Sequence, residues 1–157
     1  MTKILFVCHG NICRSPMAEF IMKDLVRKAG RENEFEIASV ATSTEEIGNP
    51  VYPPARRKLA EHGIRCDGHA ARQLTRRDYA HYDLLIGMDS YNIRNMLRMC
   101  GDDPDGKIHL LMEFAPIVNG KLSNGKFPDV ADPWYTDDFD ATWRDCLEGC
   151  SGLLQRF

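Results

Sequence analysis

The chain has 157 residues, 43% of them hydrophobic and 27% charged, with a formal net charge of −3. That length suits one domain spanning 1–157 around one core and leaves little room for a second. The charge balance excludes a general attraction to nucleic acid or to an anionic membrane, so any affinity for phosphate has to be local.

Ile4-Leu5-Phe6-Val7 is too short for the apolar core of an export signal, and no run approaches the roughly 20 apolar residues that span a bilayer. A cytoplasmic protein is expected. Six cysteines stand at 8, 13, 66, 100, 146 and 150, and reduced thiols fit that compartment better than a disulfide framework. Cys146 and Cys150 have helical spacing, but no second Cys or His pair at ligand spacing accompanies them. Helix packing is the expectation for this pair, with no metal and no cofactor.

In chain order, Lys3 to Val7 reads as a short strand buried on both faces. A loop follows from Cys8, and a helix is expected near Ser15, with Ser15 as N-cap, Pro16 in the first turn and Glu19 at the positive end. Met17, Phe20, Ile21, Leu25 and Val26 recur at helical spacing before Gly30. Phe35 to Ala41 reads as a second strand. Pro-rich punctuation follows, then a helix over Ala55 to His62. A short helix over Thr75 to His81, a strand over Asp83 to Met88, a helix over Ser90 to Met99 and a strand over Lys107 to Leu111 come next. Glu113 to Ala131 reads as a long loop of the kind that often carries function. A last helix from about Asp137 places Phe139, Trp143, Leu147 and Leu154 on one face. Strands alternating with helices predict an α/β fold with a parallel sheet covered on both faces. Ligands then bind beyond the carboxyl ends of the strands, where Cys8, Asp89 and the long loop belong.

The segment that carries chemistry is Val7-Cys8-His9-Gly10-Asn11-Ile12-Cys13-Arg14-Ser15-Pro16. A cysteine ends a strand, and an Arg-Ser pair opens a helix after a short loop. Such a loop turns its N–H groups inward and makes a concave anion site from His9 to Ser15. Gly10 and Asn11 suit the left-handed angles of a tight turn, and Arg14 grips two phosphate oxygens with a permanent charge. Helix N-termini favour a thiolate, so Cys8 is the expected nucleophile and a cysteinyl-phosphate the expected intermediate. Ser15 is placed to hydrogen-bond the departing thiolate.

These residues, with Asp132-Pro133-Trp134-Tyr135 near the other end, resemble the low-molecular-weight protein tyrosine phosphatases over essentially the whole chain. The resemblance implies a three-layer α/β/α fold with a four-stranded parallel sheet in flavodoxin-like order. It implies hydrolysis of protein phosphotyrosine to inorganic phosphate, with Asp132 as general acid and then general base. Trp134 and Tyr135 match the family's substrate walls. Glu45 stands where relatives carry another wall residue, usually aromatic, and His9 where many carry an apolar one. Both departures bear on substrate preference, and a carboxylate at the rim disfavours acidic peptides. Ser39 and His69 match residues that support the loop, His69 through a buried bond to Asn11. Cys13 matches a partner for a reversible disulfide that shields Cys8. Asp89 is a candidate partner for Arg72, or a helix cap.

Two related activities share this fold. Arsenate reduction uses two further cysteines in the stretch just downstream of the third strand, where only Cys100 stands. Arginine phosphatases tend to carry Thr at the position of Ile12. A non-catalytic phosphoprotein-binding module is the remaining alternative, and it predicts loss of the nucleophile or the acid.

Overall fold

β1 (Thr2–Cys8) lies inside a four-stranded parallel sheet because both of its faces are apolar: Ile4, Leu5, Phe6 and Val7 are fully buried. Alternate residues point to opposite faces. Ile4, Phe6 and Cys8 join one core cluster, while Leu5 and Val7 join the other. β1 pairs with β2 (Phe35–Ala41) on one side and β3 (Leu84–Gly87) on the other, and β4 (Ile108–Leu110) completes the order β2-β1-β3-β4. The computed structural model describes residues 1–115 and 127–157.

Helices cover both faces, as the alternation of elements predicts. α1 (Arg14–Lys28), α2 (Pro53–Glu61) and α6 (Phe139–Arg156) form one layer, with α1 against α6. α3 (Arg76–His81) and α4 (Ser90–Met99) bury Tyr79 and Met96 on the other face. α5 (Pro133–Thr136) is a single turn that caps no layer. No helix among the described residues is long and apolar enough to cross a membrane.

Several boundaries differ from the sequence reading for local reasons. α3 starts one residue later than expected, because Thr75 and Asp78 form a reciprocal capping box that leaves Thr75 outside the helix. α6 starts at Phe139, because Asp138 caps it through the Ala141 N–H and Asp137 turns left-handed before it (φ 58°). Its most buried apolar residues are Cys146, Cys150 and Leu153, with Trp143, Leu147 and Leu154 only partly covered. The cysteine pair packs onto α1, near the carbonyls of Arg14 and Ala18. Of the expected long loop, Glu113 belongs to a 3₁₀ turn (Leu111–Glu113), and 116–126 lie outside the described residues.

The same turn explains two glycines of α6. A Cβ on Gly149 would stand 2.4 Å from Leu111 Cγ, and one on Gly152 only 1.6 Å from the Phe114 carbonyl oxygen. The helix has to be bare there for the chain after β4 to cross it.

Candidate active site

Cys8 is the last residue of β1 in the ladder, opposite Ala41, so the sheet fixes its backbone. The chain then loops over 9–13 into α1. Two groups approach the Cys8 sulfur: Ser15 Oγ at 3.0 Å and the Asn11 N–H at 3.3 Å. Ser15 is not the helix cap. α1 begins one residue earlier, at Arg14, and its N-terminus has no side-chain cap. The Ser15 hydroxyl is engaged instead by Cys8 and by Asn11 Nδ2 (2.8 Å). An uncapped helix start offers its N–H groups to an anion.

Asn11 is fully buried and left-handed (φ 61°). Gly10, expected to share that conformation, is not among the positive-φ residues, and a Cβ there would make only ordinary van der Waals contact with Glu46 Cγ at 3.4 Å. Asn11 is held at every polar atom. Its amide donates to Ser15 and to Ser39 Oγ (2.9 Å), its Oδ1 accepts from the Arg72 N–H, and its carbonyl accepts from His69 Nε2 (2.8 Å). Such bonds offset the roughly 1 kcal/mol or more that a non-glycine residue loses in this conformation. Ser39 passes the chain on to Glu19, which is buried, pairs with Lys23 and stands 4.0 Å from His69 Nδ1. The sequence reading placed Glu19 at the helix end only. Its spacing from Ser15 puts both on one helix face, which is the signal that was available.

Arg14 is buried and turned across the cavity. One guanidinium nitrogen meets Asp89 at 2.7 Å and the Val130 carbonyl at 3.3 Å; the other stands 3.3 Å from Asp132. Burial opposes its charge, but Cys8, Asp89 and Asp132 more than offset that, so the guanidinium stays ionised. Of the two roles open to Asp89, the pair with Arg72 does not form and the helix cap does. Asp89 takes Arg14 and caps α4, while Arg72 makes a two-pronged pair with Asp78, six residues along the chain.

Asp132 opens α5 as its N-cap, accepting from the Trp134 N–H at 3.1 Å. The segment before it is tied down on three sides. The Asp129 carboxylate accepts from the Ser90 N–H, the Val130 N–H donates to the Met88 carbonyl, and Ala131 is held by Asp145 and Thr142. Cys8 through Arg14, Glu45, Glu46, Asp89, Tyr91, Asp132, Trp134 and Tyr135 all line one cavity of about 730 Å³.

A family model described as low molecular weight phosphotyrosine protein phosphatase matches residues 3–157. The chain belongs to the low-molecular-weight phosphotyrosine protein phosphatases. YfkJ of Bacillus subtilis, named a low-molecular-weight protein-tyrosine-phosphatase, is 36% identical over 98% of this chain and 94% of its own. Its crystal structure superposes with a TM-score of 0.89, covering 99% and 94% of the two chains. The low-molecular-weight protein tyrosine phosphatase SP-PTP from Streptococcus pyogenes is 39% identical, with a TM-score of 0.85, covering 100% and 93%. A rat relative carrying the family name is 36% identical over 98% and 94%.

Aromatic and charged side chains line the mouth of the cavity. Trp134 and Tyr135 are exposed to 57% and 85%, so neither is a core residue. Trp134 leans on Tyr52 (ring centroids 5.2 Å), which in turn stacks on Phe139. Sequence reasoning missed Tyr52, whose only signal was an aromatic between turn prolines. Opposite, His9 Nε2 donates to Glu45 at 2.9 Å across the cavity edge. Cys13 lies beneath the loop as a free thiol; burial first, then the charges of Cys8 and Asp132, push it up to about 12 against the pull of Arg14.

Proposed function

We propose that the chain is a cytoplasmic, metal-independent phosphatase that hydrolyses protein phosphotyrosine to inorganic phosphate. The observation that carries the reading is the convergence of Cys8 Sγ, an uncapped helix start, the Arg14 guanidinium and the Asp132 carboxyl on one cavity. An incoming phosphate would sit among the N–H groups of 9–15 with Arg14 on its oxygens.

Cys8 Sγ attacks phosphorus in line, forming the S–P bond as the P–O bond to the phenol breaks. Asp132 gives its proton to the leaving oxygen. Water then attacks the cysteinyl-phosphate and passes its proton to Asp132, and the S–P electrons return to sulfur, which Ser15 hydrogen-bonds. Asn11, Ser39 and His69 hold the loop in shape, Trp134 and Tyr135 flank the aromatic ring, and Cys13 is the candidate disulfide partner of Cys8. The test is a turnover comparison of phosphotyrosine, phosphoarginine and phosphoserine peptides, with arsenate alongside. Phosphotyrosine should lead by at least an order of magnitude in kcat/KM; a lead for phosphoarginine, or arsenate reduction, would replace this reading.

A further inference from the structure

Two adjacent carboxylates stand over two adjacent residues of the phosphate loop. Glu45 is fixed by His9 Nε2 at 2.9 Å, and the Glu46 stem lies over Gly10 with its carboxylate bonded to Asn49 Nδ2 at 2.6 Å. Both follow β2, so they occupy the β2 side of the cavity. The opposite side follows β3 and presents Tyr91 and Asn95, with the Arg94 guanidinium 5.4 Å from the centre of the Tyr91 ring. Asp89 and Asp132 also line the cavity, but Asp89 is held by Arg14 and caps α4, and Asp132 is committed to the leaving oxygen in the proposed reaction. Among the described residues, the lining carboxylates left to meet a residue beside the phosphotyrosine therefore lie on the β2 flank.

Resting on the proposed phosphatase reading, we infer that Glu45 is a specificity determinant that selects a Lys or Arg next to the phosphotyrosine, on one side of it and not the other. With its side chain 68% exposed, Glu45 is reachable by a neighbouring residue while the phosphotyrosine fills the cavity. His9 holds the carboxylate in place beforehand, so little ordering is needed when a cation arrives. Two unit charges about 4 Å apart in water interact by roughly RT or more, enough for a several-fold preference and not for an absolute one. A preference of this origin fades as salt shortens the screening length.

The experiment measures kcat/KM for four phosphotyrosine peptides that carry Lys or Asp on the N-terminal or the C-terminal flank. An aryl phosphate without flanks is run beside them. For the unmodified protein the Lys peptide should exceed the Asp peptide by about 3- to 10-fold on one flank only, and the ratio should shrink in 0.5 M salt. In Glu45→Lys the ratio on that flank should invert, and in Glu45→Gln it should fall toward one. Equal rates for all four peptides, or a ratio that survives Glu45→Lys, would overturn the inference while aryl phosphate turnover still upheld the phosphatase reading. A protein inactive on every substrate would overturn both.

Discussion

Arg14 Nη2 and Asp132 Oδ2 stand 3.3 Å apart, so the group proposed to bind phosphate and the group proposed to donate the proton hold each other. The contact uses a guanidinium edge that an incoming phosphate also needs. Phosphate and Asp132 thus compete for Arg14, and Asp132 moves from a cationic neighbour to an anionic one when phosphate enters.

Asp132→Ala should therefore bind inorganic phosphate or vanadate more tightly, by about 3- to 10-fold, because one carboxylate no longer competes for Arg14 or repels the ligand. The same variant should turn over phosphotyrosine about 10²–10⁴-fold more slowly, with a smaller loss for an aryl phosphate whose leaving group needs no proton. Isothermal titration and steady-state kinetics on one preparation measure both. Slower turnover with weaker phosphate binding would show a general disruption of the cavity.

Cys8 and Cys13 should separate sharply in reactivity. Cys13 remains a thiol near neutral pH, with its titration pushed up to about 12, and Cys146 and Cys150 are sealed inside the α1–α6 layer. Iodoacetate at pH 7 should first modify Cys8, and inorganic phosphate should protect it. Peptide mass mapping locates the label. Cys8→Ser should abolish turnover and still bind phosphate; activity retained by that variant would sink the cysteinyl-phosphate mechanism.

Gly152→Ala places a methyl group onto backbone atoms of Phe114, 1.6 Å from the oxygen and 2.5 Å from the carbon. Neither a rotamer change nor a flexible side chain relieves that clash, so the crossing has to shift. The expected cost is at the upper end of the overpacking range, about 3 kcal/mol, read from the urea midpoint. A variant as stable as the parent would show that the crossing after β4 can shift at little cost.

Asp78 gives a pH-dependent contribution to stability. Burial opposes its charge, yet the paired bonds from Arg72 and those from Thr75 hold its carboxyl below the ordinary value. A folded value below the unfolded one, about 3.9, stabilises the protein above that pH, and the contribution is lost as pH falls through the folded value. Asp78→Asn should lower the urea midpoint at pH 7, and the gap from the parent should narrow as the pH falls below the ordinary carboxylate range. A gap of constant size would assign the loss to shape and not to charge.

What the sequence revealed was local. The phosphate loop was legible because its cysteine, tight turn and arginine are packed into one short stretch, whereas Asp132-Pro133 stood out only through the family resemblance. The strands of the sheet were legible from apolar runs, and the helix starts at α3 and α6 were displaced by a residue or two where capping groups decided the boundary. What escaped was the choice of partners across the fold. Asp89 and Arg14 are far apart in the chain, and only the side-by-side placement of β1 and β3 brings them together. Arg72 met Asp78 because the latter was already fixed by the α3 cap. Ser15 has the composition of a cap, but a nearby sulfur and a buried amide claimed its hydroxyl first. Gly149 and Gly152 carry no signal in the sequence, because the turn that crosses them is a contact between distant parts of the chain.

The stretch from Asp129 to Asp132 is lashed to β3, α4 and α6 before any substrate arrives. The entropy of ordering the backbone that carries the proposed proton donor is met when the polypeptide folds and does not recur with each catalytic cycle. For the proposed reaction, a more viscous medium should then slow turnover through diffusion of the ligands and little else.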